Sequence, residues 1–239
     1  MSGTETQDDS NLHFAERLRP LAFVSAPDLR NSAAETLLPV TLVDHHACIN
    51  SIQLNSTVPK PIAIQFETTR NLYLYAWFVY RFFMVAKTHA FSTLEMGLKH
   101  SLPKRLPEPY QRPKQKHPML AGLLAYAIDE GIVQNQGFRR WHDEALYKAR
   151  QRQSMERIQA MIEQQLDSLE YDEHELPEIR PEDQRWDLVS ALRAGLPKAR
   201  NSLAHGSTEL TNKVFGDIEL VAEILNQLFP SGKATEAAS

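Results

Sequence analysis

Residues 60–102, KPIAIQFETTRNLYLYAWFVYRFFMVAKTHAFSTLEMGLKHSL, decide the fold of this chain. Large side chains recur through this stretch at alternating steps of four and three positions, the spacing of one stripe along an α-helix. The stripe consists of Phe66, Arg70, Tyr73, Trp77, Tyr80, Met84, Lys87, Phe91, Leu94 and Leu98. Further apolar residues on the opposite side are Phe78, Val79, Phe82 and Phe83. The stretch therefore predicts one long helix that is buried on more than one face, at the centre of a bundle or at a subunit contact.

The segment that follows, SLPKRLPEPYQRPKQKHP at 101–118, contains five prolines. Proline lacks an amide hydrogen and pushes the residue before it towards extended backbone, so a helix cannot continue through this segment. We therefore expect the long helix to end near Leu102 and a proline-rich, basic loop to follow.

Five other segments have the apolar spacing of helices, and no series of strands accompanies them. They are residues 38–54, 119–131, 138–169, 186–205 and 214–228. This pattern predicts an all-α helical bundle. We expect residues 1–37 to be a disordered or irregular N-terminal extension, residues 38–231 to form a single all-α domain, and residues 232–239 to be a disordered tail.

The composition excludes several classes of protein. The chain has 239 residues, of which 42% are hydrophobic and 23% are charged, with only 9 glycines and one cysteine. Collagen-like, disulfide-rich and wholly disordered chains have other compositions. Cys48 cannot form an internal disulfide, and the N-terminus has no signal-peptide pattern, so we expect a cytoplasmic protein. The longest apolar run, Leu72 to Tyr80, is shorter than the roughly 20 residues that cross a bilayer, so we expect no membrane span.

Charge is segregated along the chain, although the net charge is −4. Residues 99–157 carry 12 positive and 6 negative charges, whereas residues 158–183 carry 1 positive and 9 negative charges. A solvated helix face is the commoner origin of such blocks, and a polyanion such as RNA is the more specific alternative. The candidate RNA-binding residues of the basic block are Lys104, Arg105, Arg112, Lys114, Lys116, Arg139 and Arg140.

The residues most indicative of chemistry are RNSLAHG at 200–206, at the end of the penultimate predicted helix. The guanidinium of Arg200 can bind a phosphate and stabilise charge on its oxygens, and the imidazole of His205 can exchange a proton near neutral pH. Five positions on an ideal helix leave these two side chains about 140° apart. Gly206 predicts that the helix ends at His205, where relaxed geometry or a second subunit can bring both groups to one phosphate. Chance produces Arg-Asn-x3-His about 0.02 times in a chain of this composition.

At these residues the sequence resembles the HEPN superfamily, whose signature is Arg, a polar residue, and His after four to six intervening positions. The resemblance implies an all-α bundle that forms a homodimer and brings two motifs together in a cleft. Many members are metal-independent ribonucleases of toxin–antitoxin, phage-defence or RNA-processing systems, and others are inactive binding modules. By this resemblance, Arg200 holds and polarises the scissile phosphate, Asn201 orients it, and His205 transfers a proton. The implied product is a 2′,3′-cyclic phosphate, formed without a cofactor. The implied partners are RNA, a second copy, and an antitoxin or other protein.

A purely structural interpretation of the same residues stays open. His205 can sit near the negative end of a helix dipole while Arg200 pairs with a carboxylate in the bundle. Glu95 is a candidate for that carboxylate, from the facing helix or from a solvent-exposed position. Asp44-His45-His46 contains metal-ligand residue types, but adjacent histidines on a helix diverge, which favours a structural role. The N-terminal 60 residues and the acidic net charge depart from what a minimal HEPN bundle needs.

Overall fold

The computed structural model describes residues 16–32, 41–111, 118–166, 168, 176–205 and 209–232. The helices in these ranges are α1 (Leu42–Asn50), α2 (Lys60–Tyr75), α3 (Phe82–Ser101), α4 (Leu120–Asp129), α5 (Arg139–Gln164), α6 (Leu188–Ala204) and α7 (Phe215–Leu228). The described ranges contain no strand, so the prediction of an all-α bundle is confirmed. None of the described helices is both long enough and apolar enough to span a membrane.

The single long helix predicted for residues 60–102 is wrong, because residues 76–81 form a turn between α2 and α3. The two helices run antiparallel: the rings of Tyr73 and Phe83 lie 5.3 Å apart, and Thr69 Oγ1 lies 3.0 Å from His89 Nδ1 further from the turn. Within the turn the Phe78 N–H donates to Tyr75 O at 3.0 Å, which is three positions back instead of the four of an α-helix. Neither glycine nor proline occurs in 76–81, so no local signal marks the break.

Several hydrogen-bond partners of this turn come from the N-terminal segment, residues 16–32. The Asp28 N–H donates to Trp77 O at 2.9 Å, and the Asn31 side-chain amide donates to Ala76 O at 3.1 Å and to Trp77 O at 2.9 Å. The Tyr80 N–H in turn donates to Asp28 Oδ2 at 3.2 Å. Backbone groups that a helix would have satisfied internally are thus satisfied by residues about 50 positions earlier in the chain.

Buried Asp28 is held ionised by neighbouring arginines. Arg30 Nη2 lies 2.8 Å and Arg19 Nη2 lies 3.3 Å from Asp28 Oδ2. Burial opposes ionisation of this carboxyl, but hydrogen bonds from Arg30 and from the Tyr80 N–H hold its pKa below the ordinary value. Glu16 joins the cluster through Arg30 at 2.5 Å and through Arg81. The N-terminal segment is therefore attached to the α2–α3 turn by an ionic cluster.

Helix α3 is the central helix of the bundle and contacts α2, α4, α6 and α7. Its buried residues are Phe83, Ala86, Ala90, Phe91, Thr93, Leu94, Gly97 and Leu98. Helix α7 approaches α3 closely at Gly97, where an added Cβ would lie 2.3 Å from Leu225 Cδ2. As predicted, α3 ends just before Leu102 and the proline-rich loop.

Helix α5 lies mostly outside this core. Its buried residues are Trp141, Ala145 and Ala149, all in its first half, and the indole N–H of Trp141 donates to Trp186 O at 2.8 Å. The helix ends at Gln164, before the predicted Leu169, because Gln165 adopts a left-handed conformation with φ 53°. The remainder of α5 is exposed or half-buried, as its sparse apolar spacing indicated.

Candidate functional site

The candidate motif occupies the last turn of α6. The side chain of Asp187 caps the first turn by accepting from the Ser190 N–H at 3.2 Å. At the other end, the His205 N–H donates to Asn201 O at 3.0 Å, which makes His205 the C-terminal cap. The helix therefore ends at the predicted place, while Gly206 lies outside the described residues.

Arg200 points towards α3 and forms an ion pair with Glu95, with 3.1 Å between Arg200 Nη2 and Glu95 Oε2. The Glu95 side chain is 15% exposed and the Arg200 side chain is 34% exposed. The other carboxylate oxygen, Oε1, accepts from Lys99 Nζ at 2.6 Å. Glu95 is therefore the facing carboxylate that the sequence offered as a candidate, and it holds two cations on one side of the bundle.

Arg200 and Asn201 line a crevice between α3, α4 and α6 that has room for about one water molecule. The crevice is lined by Glu95, Met119, Leu120, Ala121, Pro197, Arg200 and Asn201. The residues from α4 form the N-terminus of that helix, and its N-terminal cap, Met119, offers no side-chain acceptor. The first N–H groups of a helix have no acceptor within the helix and carry a partial positive charge. The crevice thus combines a guanidinium, a side-chain amide and a helix N-terminus, which are three groups that bind anions, with the carboxylate of Glu95, which pairs with the guanidinium.

Sequence reasoning missed the N-terminus of α4 as part of this site. Helix α4 contacts α6 in the folded chain, although Met119 and Arg200 are far apart in sequence. One feature of the sequence could have indicated that the N-terminus of α4 belongs to the site. Helix α4 follows directly after the basic, proline-rich loop, and the last cation of this loop, Lys116, precedes Met119 by three positions.

His205 does not line this crevice. It is an exposed residue whose N–H still donates to Asn201 O as in a helix, so the five-residue offset from Arg200 still separates the two side chains around the α6 axis. Within one chain, the structure brings together Arg200 and Asn201 but not His205. The relaxed geometry expected at the end of α6 does not place His205 in the crevice, and its meeting with Arg200 through a second subunit stays a prediction.

The predicted RNA-binding residues are divided between two surfaces. Lys104 and Arg105 are exposed in the loop after α3, and Arg105 lines a groove together with Pro103, Pro107 and Tyr126. The loop cations Arg112, Lys114 and Lys116 lie outside the described residues. Of the predicted RNA-binding residues of this loop, the structure therefore describes Lys104 and Arg105, and both are exposed.

Arg139 and Arg140 are bound to α7. Arg139 forms an ion pair with Glu219, and its N–H donates to Glu223 Oε1 at 2.8 Å. Arg140 Nη2 donates to Gly216 O at 2.5 Å and lies 3.8 Å from Glu219 Oε2. The proximity of Glu219 raises the pKa of Arg139 above its ordinary value. These two arginines connect the start of α5 to α7.

The residues 44–46 diverge, as adjacent positions on a helix do. Asp44 accepts from the Thr41 hydroxyl at 2.7 Å, and His46 is exposed. His45 is buried, with Nε2 at 2.9 Å from Tyr73 O and its ring stacked on the Tyr73 ring at 4.6 Å. Burial lowers the pKa of His45. Across the described residues, no three His, Cys, Asp or Glu side chains are grouped so that they could hold a metal ion.

Comparison of the chain with models of known protein families, with curated proteins and with solved structures found no match. A proposal about function therefore depends on the residues of this chain, on the crevice they form and on the resemblance of RNSLAHG to the HEPN signature.

Proposed function

We propose that this chain is a metal-independent endoribonuclease of the HEPN type, with the mouth of the crevice beside Arg200 as its phosphate-binding site. The observation that carries the proposal is the convergence of Arg200, Asn201 and the uncapped N-terminus of α4 on one crevice. The anion that these groups are suited to bind is a phosphate of the RNA backbone.

The ion pair with Glu95 is compatible with phosphate binding. A guanidinium has five N–H donors in a planar fork, and the contact with Glu95 is made through Nη2 alone. Donors of Arg200 therefore remain for a phosphate, while Glu95 keeps the guanidinium in a fixed orientation. Fixed donors stabilise developing charge without reorganisation during the reaction, which is the main requirement for a phosphate-cleaving arginine.

In the proposed reaction, the ribose 2′-oxygen attacks the phosphorus and the 5′-oxygen of the next nucleotide leaves, which produces a 2′,3′-cyclic phosphate. Arg200 stabilises the charge on the phosphate oxygens, and Asn201 orients the phosphate. His205 transfers one proton, either from the 2′-hydroxyl or to the leaving 5′-oxygen, and water exchanges the other. Because His205 lies outside the crevice of its own chain, we assign the complete site to a homodimer, as the resemblance implies.

A toxin–antitoxin or phage-defence role in the cytoplasm is the biological setting that the same resemblance implies, with an antitoxin or another protein as the partner. Expression of the wild-type chain in a bacterial host should then arrest growth, and Arg200→Ala should relieve the arrest. Arg193→Ala is a matched control, because Arg193 lies two turns earlier on α6 and pairs with Asp129 at 2.6 Å. Equal growth of the wild-type and Arg200→Ala strains, at equal protein levels, would rule out this setting.

The second candidate is a non-catalytic module that binds RNA, a nucleotide or a protein through the same crevice. One observation favours it: Arg200 is already paired with Glu95, and His205 lies elsewhere. Such a module would bind RNA without turnover, and its binding would weaken with Arg200→Ala but survive His205→Ala.

The experiment that separates the two candidates is incubation of the purified protein with a mixed pool of single-stranded and structured RNA in the presence of a chelator. If the chain is a ribonuclease, the wild-type protein should cleave the RNA, and the Arg200→Ala and His205→Ala variants should not. Arg193→Ala and His46→Ala, which change exposed residues elsewhere, should cleave like the wild type. The binding module would be favoured if no protein cleaved the RNA and if the wild type and all variants except Arg200→Ala bound it.

A further inference from the structure

The loop after α3 and the second half of α4 form an open groove of about 600 Å³. This volume is in the range of small-molecule sites. The lining combines an aromatic ring with a cation, a carboxylate, an amide and two proline rings, which belong to Tyr126, Arg105, Glu108, Gln111, Pro103 and Pro107. Such a lining suits a flat, polar, aromatic ligand, because the aromatic ring offers a stacking surface and the polar groups can bind the edge of the ligand.

The Tyr126 ring is held in place by the loop. The ring of Tyr110 packs against it edge to face, with 5.3 Å between the centroids and 83° between the planes. The Tyr110 hydroxyl donates to Asp129 Oδ2 at 2.9 Å. The Tyr110 backbone also lies against α4 at Gly122, where an added Cβ would be 2.1 Å from Tyr110 O. A ring that is fixed before binding loses little conformational freedom when a ligand stacks on it.

The groove opens on the same side of α4 as the crevice at Arg200. Met119, at the start of α4, lines the crevice, and Tyr126 lines the groove. Seven positions on a helix return to within about 20° of the same direction and advance about 10 Å along the axis. Helix α3 leads the same way, because Glu95 lines the crevice and Arg105 follows the end of this helix. A polymer with a phosphate at the crevice mouth can therefore place a neighbouring group in the groove.

The composition of the lining favours a nucleotide over a proline-rich peptide. Grooves that bind polyproline helices are lined by several aromatic side chains, whereas Tyr126 is the one aromatic side chain among the described residues that line this groove. Arg105 is exposed and can contact a backbone phosphate or the face of a base. The carboxylate of Glu108 and the amide of Gln111 can bind the donors and acceptors on the edge of a base.

We propose that the groove beside Tyr126 is a nucleobase subsite, in which one unpaired base of an RNA strand stacks on the Tyr126 ring while the strand continues to the crevice mouth at Arg200. The inference rests on the proposed function, because that function supplies RNA as the ligand. A paired base is stacked within a duplex and cannot enter the groove, so the subsite selects single-stranded RNA. A phosphate is the same at every nucleotide, so the residues at Arg200 cannot supply this selection.

Binding of a labelled single-stranded RNA of about ten nucleotides tests the subsite, with His205→Ala in every chain so that the RNA stays intact. Tyr126→Leu keeps an apolar side chain at this half-buried position and should weaken binding by about 5- to 100-fold, the effect of losing one stacked base. It should also reduce the preference for the single strand over the same strand in a duplex. Tyr147→Leu is the matched control, since Tyr147 is 57% exposed on α5 and should leave both quantities unchanged.

Fluorescence separates stacking from a structural effect of the substitution. The RNA should quench the indole emission of Tyr126→Trp, whereas Tyr147→Trp should respond no more than a chain with its own three tryptophans. Weaker binding by Tyr126→Leu without quenching in Tyr126→Trp would show a structural role and overturn the subsite. A change of emission with a proline-rich peptide but not with RNA would assign the groove to a peptide, which also overturns it.

Arg200→Ala distinguishes failure of the subsite from failure of the proposed function. RNA binding that falls with Arg200→Ala but not with Tyr126→Leu would overturn the subsite and leave the phosphate site in place. Quenching in Tyr126→Trp without cleavage by the wild-type chain would leave the subsite in place and reject only the ribonuclease. Absence of RNA binding by the wild-type chain would overturn both.

Discussion

The ion pair between Glu95 and Arg200 is the contact on which the geometry of the candidate site depends, and Glu95→Gln removes its charge while keeping its shape. The pair spans 3.1 Å, with the carboxylate largely buried and the guanidinium about one-third exposed. Ion pairs between exposed side chains have coupling energies of about 0.2–1 kcal/mol. Because Glu95 is largely buried, we expect the Glu95–Arg200 coupling energy to lie near the upper end of this range, at about 1 kcal/mol. The Glu95–Lys99 pair, with Lys99 47% exposed, should couple by only about 0.3–0.5 kcal/mol.

The assay is a double-mutant cycle on the free energy of unfolding in urea, built from Glu95→Gln, Arg200→Gln and the double variant. A second cycle, with Arg193→Gln in place of Arg200→Gln, is the control, because Arg193 pairs with Asp129 and not with Glu95. Coupling should appear in the first cycle, shrink with added salt, and be absent from the second. Equal coupling in both cycles, or none in either, would refute the argument that Glu95 holds Arg200 in the crevice.

Three other predictions concern the bundle around the site. Asn31→Ala removes two hydrogen bonds to carbonyls of the α2–α3 turn and should lower the free energy of unfolding by about 2 kcal/mol in urea denaturation, whereas Asn71→Ala, at an exposed position, should change it little. Gly97→Val should destabilise the chain by about 1–3 kcal/mol in the same assay, because its Cβ would meet Leu225 Cδ2 at 2.3 Å; an unchanged midpoint would contradict the close approach of α3 and α7. Burial lowers the pKa of His45 from its ordinary value of 6.5, so below that pH the unfolded chain binds a proton that the folded chain does not. The free energy of unfolding should therefore fall as the pH drops from about 7 to about 5, and His45→Phe should reduce that slope; an unchanged slope would show that His45 does not titrate in this way.

The sequence predicted the boundaries that local chemistry sets. Helix α3 ends before Leu102 because proline follows, and the chain after α4 turns at Gly131, whose φ of 66° suits glycine. The break between α2 and α3 could not be predicted from its own residues, because Asp28 and Asn31 bind the backbone groups of Ala76, Trp77 and Tyr80 that a continuous helix would have bonded internally. An uninterrupted apolar spacing across 76–81 is compatible with one helix or with two that pack against each other.

In the candidate site too, the sequence indicates some residues by their local pattern, whereas others depend on how distant helices pack. Arg200 and Asn201 stand out by spacing, and Glu95 is recognisable as an acid among apolar neighbours on the helix that faces them. The contribution of the α4 N-terminus depends on how α4 packs against α6, which apolar spacing does not specify. The pairing of Arg139 with Glu219 was missed for the same reason, because a cation in a basic block looks the same whether it faces solvent or a carboxylate.

The most direct test of the proposed ribonuclease is the chemistry of the ends that it leaves on RNA. In the presence of a chelator, the wild-type chain should produce 2′,3′-cyclic phosphate ends, and a substrate with a single 2′-deoxy nucleotide at the cleavage position should be uncut there. Arg200→Ala and His205→Ala should give no such products. Cleavage of the 2′-deoxy position, or identical products from wild type and His205→Ala, would contradict the account.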